Sequence, residues 1–240
     1  MKQSRKRYLV LTAIFGAAIP AFAGGNPEGS AVYAPRFDVY LGYAYFNTPK
    51  LSLAEHGAHL QVGLNVKRWL ALGLDYSRAT GDFGLSPTVL KPEFRDSALN
   101  IVQQFKDQGI VPPGYTGAVP TNATTQTLAG GPQLVWRHRR WTLIYGPSIG
   151  WVLEKTKLKP YDMATNIFVS EASPDPTPGD HKMFFGGGAA VDINATRHFG
   201  LRVRVDVVHD NLFTDSFLAE GRWTTRVSIG PSFHFGKSLR

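Results

Sequence analysis

No cysteine occurs among the 240 residues. That excludes a disulfide framework, a lipoprotein anchor, a thiolate nucleophile and any cysteine-based zinc or iron–sulfur centre. Past the N-terminal region there is also no apolar run long enough to cross a membrane as a helix, so entry into a membrane is left to a closed barrel. A strong charge of one sign is lacking too. The formal net charge is +8, but setting aside Lys2, Arg5, Lys6 and Arg7 leaves 22 basic against 18 acidic residues, a balance of +4. This excess is spread over turns and loops instead of forming one stripe, so nucleic acid is not an expected partner.

The N-terminus decides the compartment. The basic start is followed by the apolar run Tyr8–Ile19, too short to span a bilayer, then Pro20 and the small-x-small site Ala21-Phe22-Ala23. This is the pattern of a secretory signal cut after Ala23. Residues 24–36, rich in Gly and Pro, read as a flexible lead-in. The 217 residues left after removing 23 from 240 fit one domain, expected as a barrel over 37–235 with a short tail at 236–240.

Period-two alternation begins at Phe37 and recurs to the end. Phe37, Val39, Leu41, Tyr43 and Tyr45 alternate with Asp38, Gly42 and Ala44. Leu60–Val66 and Leu70–Tyr76 form a hairpin about Lys67-Arg68-Trp69. Further strands are expected near Gln126–Trp136, Trp141–Leu153, Met183–Ile193, Leu201–Val207 and Arg226–Phe235. Short turns join strands 2–3, 4–5 and 6–7. Long links follow strands 1, 3, 5 and 7, at Asn47–Ala58, Ala79–Thr125, Lys155–Lys182 and His209–Arg222. The expected fold is all-β: an eight-stranded antiparallel up-and-down transmembrane barrel with short periplasmic turns and long extracellular loops, in the bacterial outer membrane.

A soluble lipocalin-type barrel would alternate equally but point its apolar face inward. The aromatic positions favour the membrane. Tyr43, Tyr45, Tyr76, Trp151 and Phe185 mark one end of the apolar parity, and Phe37, Trp136, Trp141, Phe199, Phe233 and Phe235 mark the other. On the last strand, Ser228-x-Gly230-x-x-Phe233-x-Phe235 resembles the signal by which the barrel-assembly machinery recognises a final strand. As a pattern from Phe37 to Phe235, the chain resembles the small OmpA-type and OmpX-type outer-membrane barrels. The resemblance implies that machinery as a partner. It does not carry a cell-wall role, because no peptidoglycan-binding domain follows the barrel.

Several side-chain sets could carry chemistry. Asp38, Asp75, Glu154, Asp192, Arg202, Arg204, Asp206 and Arg226 share the inward parity and are expected to form a structural ion-pair network, since an eight-stranded interior is only wide enough for side chains. His209, Asp210 and Ser216 share the last long link and are the residues a lipid A deacylase-like hydrolase would use. His56, His59 and His181 lie near the outer rim without metal-ligand spacing. Arg78, Lys155, Lys157 and Lys159 continue the outward parity above Tyr76 and Trp151, at the height of lipopolysaccharide phosphates. Arg137, Arg139 and Arg140 sit where anionic phospholipid headgroups lie. Phe94, Ala98, Ile101, Val102 and Phe105 recur at helical spacing between Pro92 and Gly109, a helix stripe that packs on its own loop or offers a contact surface. Gly131-Pro132, Gly146-Pro147 and Gly230-Pro231 place prolines inside strands and read as bulges.

The expectation is a non-enzymatic integral barrel with a structural or surface-recognition role, with outer-membrane lipids, lipopolysaccharide and an extracellular partner. No catalytic residue, cofactor or metal is expected, and no substantial pore. The alternatives are the lipid-modifying hydrolase and a narrow channel.

Overall fold

A computed structural model describes residues 33–172 and 177–239. The signal segment expected at 1–23 lies outside the described residues. Eight antiparallel strands follow one another in sequence order and close on themselves. They are β1 (Phe37–Thr48), β2 (Leu53–Lys67), β3 (Leu70–Leu85), β4 (Val119–Arg137), β5 (Trp141–Leu158), β6 (Gly179–Asn194), β7 (Phe199–Asp210) and β8 (Arg222–Phe235). Closure is made by β1 against β8, from Phe37 opposite Phe235 up to Asn47 opposite Thr225.

The apolar parity faces outward. Leu74, Ile149, Tyr145 and Phe185 are each more than half exposed, while Arg202, Asp192 and Gln61 on the other parity are at most 1% exposed. A soluble barrel inverts this arrangement, so the outward apolar belt is the lipid-facing surface of a membrane barrel.

The strands are longer than the outward hydrophobic signal indicates. β4 has 19 residues and β5 has 18, against roughly ten needed to cross a bilayer at a tilt. The link expected at Asn47–Ala58 shrinks to a single 3₁₀ turn, Pro49–Leu51, because both strands continue through it. The links expected at Ala79–Thr125, Lys155–Lys182 and His209–Arg222 likewise give residues to their flanking strands. Above the lipid belt the outward positions become polar, as at Thr80, Asp82, Asn122 and Thr124, so the apolar alternation fades while backbone pairing persists.

The extracellular end is roofed. The second link folds into helix α1 (Pro92–Asp107), started by Pro92 and ended by Gly109 at φ +70°. Its Ala98 and Val102 turn into the protein, so the apolar stripe packs on the barrel's own cap. The third link holds α2 (Met163–Ala172), capped where Asp162 Oδ1 accepts from Thr165 N at 2.7 Å. Beneath the helices, Leu53, Leu85, Leu90, Val119, Phe184 and Leu212 join one apolar core. The links are cross-tied. Lys91 N donates to Phe217 O at 2.9 Å, Ala219 N to Val89 O at 3.2 Å, and Tyr115 Oη to Asp162 Oδ2 at 2.6 Å.

The strand prolines make no bulge. On β4–β5 the ladder is interrupted between Gly130↔Ile149 and Leu134↔Tyr145, yet the register is the same on both sides. Pro132 and Pro147 are therefore directly opposite, two residues without an N–H on one rung. The glycine before each proline explains the motif. A Cβ on Gly131 would fall on the Pro147 carbonyl oxygen, one on Gly146 on the Pro132 carbonyl oxygen, and one on Gly230 on the Leu41 carbonyl oxygen. Each carbonyl deprived of a proline N–H thus lies against a glycine Cα–H, a weak contact that softens an otherwise unpaired group in lipid. Replacing Gly146 with Ala should separate the strands at this rung and lower stability by about 1–3 kcal/mol, read as a lower urea midpoint of the refolded barrel. An unchanged midpoint would refute the close-approach account.

Candidate functional site: the closed lumen and its two rims

Inward parity brings the sequence-expected charges together in layers. Nearest the periplasm, Arg202 is fully buried. Its Nε donates to Asp192 Oδ1 at 2.6 Å, Nη2 to Asp38 Oδ1 at 3.0 Å, and Nη1 to Gln61 Oε1 at 2.7 Å. The guanidinium also sits 5.4 Å from the Tyr40 ring centroid. In the next layer Arg226 donates through Nε to Asp206 at 3.0 Å and through Nη2 across the lumen to Asp75 at 3.0 Å. Arg204 shares Asp206, with Nε at 2.8 Å from Oδ1. His59 completes this layer between Ser228 Oγ at 3.0 Å and Asp75 at 3.6 Å.

A third layer joins the expected Glu154 to charges that the alternation did not mark. Arg222 bonds Glu154, and its Nε donates to Asp210 Oδ1 at 3.1 Å; Thr125 Oγ1 also donates to Glu154 at 3.1 Å, and Glu55 is buried nearby on β2. Glu55, Asp210 and Arg222 fell in stretches read as loop. The usable signal was parity: Glu55 continues the series Gly57, His59, Gln61, and Arg222 precedes Arg226 by four.

Inward glycines leave room for neighbouring inward side chains. At Gly63, Gly73 and Gly188 a Cβ would meet the side chains of Asp38, Gln133 and Asp206. On the β3–β6 side of the lumen, Ala71, Val135, Ile144 and Ala190 form a small apolar cluster, and Arg137 Nη2 donates to Asn65 Oδ1 at 2.6 Å across the mouth. Buried side chains therefore line the lumen from the periplasmic mouth to the apolar cap.

The histidine sets do not assemble. His209 faces outward, with ring centroids 5.3 Å from Phe185 and 4.8 Å from Trp223, whereas Asp210 faces inward on Arg222. Successive strand residues point to opposite faces, which separates them. Ser216 lies exposed in the link beyond them. His59 is inside the lumen while His56 is outside against Tyr43 and Tyr45, and no His/Asp/Glu group suited to a metal occurs among the described residues.

The assembly-signal residues divide by face. Ser228 and Gly230 point inward, and Phe233 and Phe235 point to lipid, the first edge-on to Phe199 and the second stacked on Phe37. Past them Gly236, at φ +97°, turns the chain so that Leu239 N donates to Ala34 O at 2.9 Å. On the outer rim Arg78, Lys155, Lys157 and Lys159 are exposed, with Lys159 Nζ 3.4 Å from Asp82. Higher up, Lys182 bonds Asp215 and holds its carboxyl below the usual carboxylate range. Burial, reinforced by the bond to Asp162, raises the Tyr115 phenol above the ordinary tyrosine value.

Fold and filled lumen together define a small transmembrane β-barrel of the outer-membrane type. No family model and no curated protein sequence matches the chain. Similar solved structures include the attachment invasion locus protein Ail of Yersinia pestis, with 10% identity and TM-score 0.45 over 83% of this chain and 96% of that one. Neisserial surface protein A shows 9% identity and TM-score 0.48 over 83% and 96%. OprG of Pseudomonas aeruginosa shows 12% identity and TM-score 0.40 over 85% and 98%. The likeness to these proteins is one of fold.

Removing one member of the Arg202 layer leaves two buried carboxylates without a cation. Arg202→Met should destabilise the barrel by about 3–5 kcal/mol, far more than Lys159→Met at the solvated rim. Urea unfolding in lipid vesicles measures both, and equal small effects would mean that the layer is not holding the wall.

Proposed function

We propose that this chain is a non-enzymatic outer-membrane barrel whose role is structural and whose surface carries recognition, with no continuous water path through it. One observation carries this reading: three ion-pair layers cross the lumen beneath an upper apolar core, with a smaller apolar cluster beside them on the β3–β6 side. Water and ions need a wetted path, and a roofed, side-chain-filled barrel offers none. What remains for interaction is the outside: the cross-tied cap and the collar of polar outward residues. Export by the segment at 1–23 and recognition of Ser228-x-Gly230-x-x-Phe233-x-Phe235 by the assembly machinery belong to the same proposal. The protein reconstituted into planar bilayers should show no unitary conductance in molar salt. Reproducible current steps would make it a channel instead.

Lipopolysaccharide is the proposed partner of the outer collar. Arg78 lies on β3 and Lys155 and Lys157 on β5, all outward and above the rings of Tyr76 and Trp151. Two strand spacings of about 4.8 Å separate β3 from β5. Long basic side chains span that distance and can converge on one phosphate. The triple variant Arg78→Gln/Lys155→Gln/Lys157→Gln should bind lipopolysaccharide at least about tenfold more weakly while still migrating as a folded, heat-modifiable barrel. Unchanged binding would remove the collar as the contact.

A further inference from the structure

The periplasmic rim has a charge pattern of its own, distinct from the outer collar. The β2–β3 and β4–β5 turns carry Lys67, Arg68, Arg137, Arg139 and Arg140 and contain no Asp or Glu. Among the described residues, Asp38 and Asp192 are the acidic side chains near these turns, and both are buried on Arg202. The two turns stand side by side because β3 pairs with β4: Leu70 is opposite Leu134, and Val135 N donates to Trp69 O at 2.9 Å.

An open groove of about 560 Å³ lies at this junction, lined by Arg68, Trp69, Leu134, Trp136, Arg137 and Tyr145. Its composition is graded, with guanidinium groups at the aqueous edge and indole, phenol and leucine surface toward the bilayer. Indole rings settle at the headgroup boundary, which fixes the groove at that depth. Trp69 is 55% and Trp136 70% exposed, so this aromatic surface faces the membrane and not the protein core. Directly above, the outward positions Pro132, Gly130 and Pro147 carry little side chain, and the wall is low between Leu74 and Ile149.

We propose that this groove binds one anionic phospholipid of the periplasmic leaflet. Its phosphate lies on Arg68 and the arginines of the neighbouring turn, and its first acyl segments lie against Trp69, Trp136 and Tyr145. The depth, the graded lining and the strictly basic rim argue for this occupant. A zwitterionic lipid brings the same phosphate with a headgroup cation that an all-basic rim repels, so the site discriminates by net headgroup charge. The site is independent of the lipopolysaccharide collar on the opposite rim.

The test is native mass spectrometry of the folded barrel supplied with equal amounts of phosphatidylglycerol and phosphatidylcholine. Phosphatidylglycerol should be retained as a single adduct about fivefold over phosphatidylcholine. Arg68→Gln/Arg139→Gln/Arg140→Gln should bring the two lipids close to equal retention, and Lys155→Gln/Lys157→Gln should leave the preference intact. Equal retention by the unmodified protein overturns the proposal, as does a preference lost in the outer variant and kept in the inner one. A second readout uses the unmodified arginines: brominated phosphatidylglycerol should quench tryptophan emission more than brominated phosphatidylcholine. That difference should disappear in Trp69→Phe/Trp136→Phe, and its persistence there places the lipid elsewhere.

Discussion

Closing eight strands leaves an interior that lipid cannot enter and that is too narrow for bulk water, so side chains must fill it. Here that constraint is met chiefly by arginine. Arg202, Arg204, Arg222 and Arg226 are all nearly buried, each donating to at least one carboxylate. Such pairs give little net stabilisation relative to well-packed apolar residues, because desolvation offsets much of their attraction. Their stronger effect is on register. Arg202 ties β7 to β6, β1 and β2. Arg226 ties β8 to β7 and, across the lumen, to β3, while Arg222 ties β8 to β7 and β5. A one-residue slip of any of these strands would turn its charges outward into hydrocarbon. The network therefore selects one closure among many that the backbone alone would allow.

The glycines and prolines answer the same geometric demand from the other side. Inward carboxylates need space to reach the arginines, and inward glycines such as Gly63 and Gly188 leave it for Asp38 and Asp206. The Gly-Pro pairs act on the wall itself. Pro132 opposite Pro147 removes two ladder bonds from a single rung, yet the register runs through unchanged because the flanking bonds and the glycine approaches hold the strands together. A bulge would have shifted every residue beyond it to the wrong face. In a barrel whose interior is charged, an interrupted rung costs less than a displaced one.

Strand identity, strand order and facing were legible because lipid and lumen impose opposite polarity on alternate residues. Tyr43, Tyr76, Trp151 and Phe233 were readable as lipid-facing, and Arg202 and Asp206 as lumen-facing, from parity alone. The readable signal ends with the bilayer. Above Tyr45 and Tyr76 the outward face turns polar, so Glu55, Asp210 and Arg222 looked like loop although their strands continue and their side chains point inward. Helix α1 was visible through Pro92, its apolar stripe and Gly109. Helix α2 was not, although Asp162 with Thr165 three residues on was a usable start signal. The apolar cap was invisible for another reason: Leu53, Leu90, Val119 and Leu212 come from four different segments, and only tertiary closure gathers them.

The two ends of the lumen are sealed by different physics, and that difference bears on where function can lie. The periplasmic end is closed near the strand ends, where Arg137 bonds Asn65 beside a cluster of four small and medium apolar residues, and the turns between the strands there are short. The extracellular end is sealed by a true apolar core under two helices, with the links bridged at Leu90↔Leu218 and Tyr115–Asp162. A core of that kind fixes the relative positions of segments distant in sequence, which a set of free loops does not. The cap is thus a shaped surface held on a rigid base, and rigidity is what lets a small surface discriminate between partners without a large ordering cost. On the periplasmic side the outward features are aromatic and basic residues at headgroup depth, chemistry suited to lipid more than to protein. The proposed recognition of other molecules therefore fits the capped end, and the proposed lipid contact the opposite one.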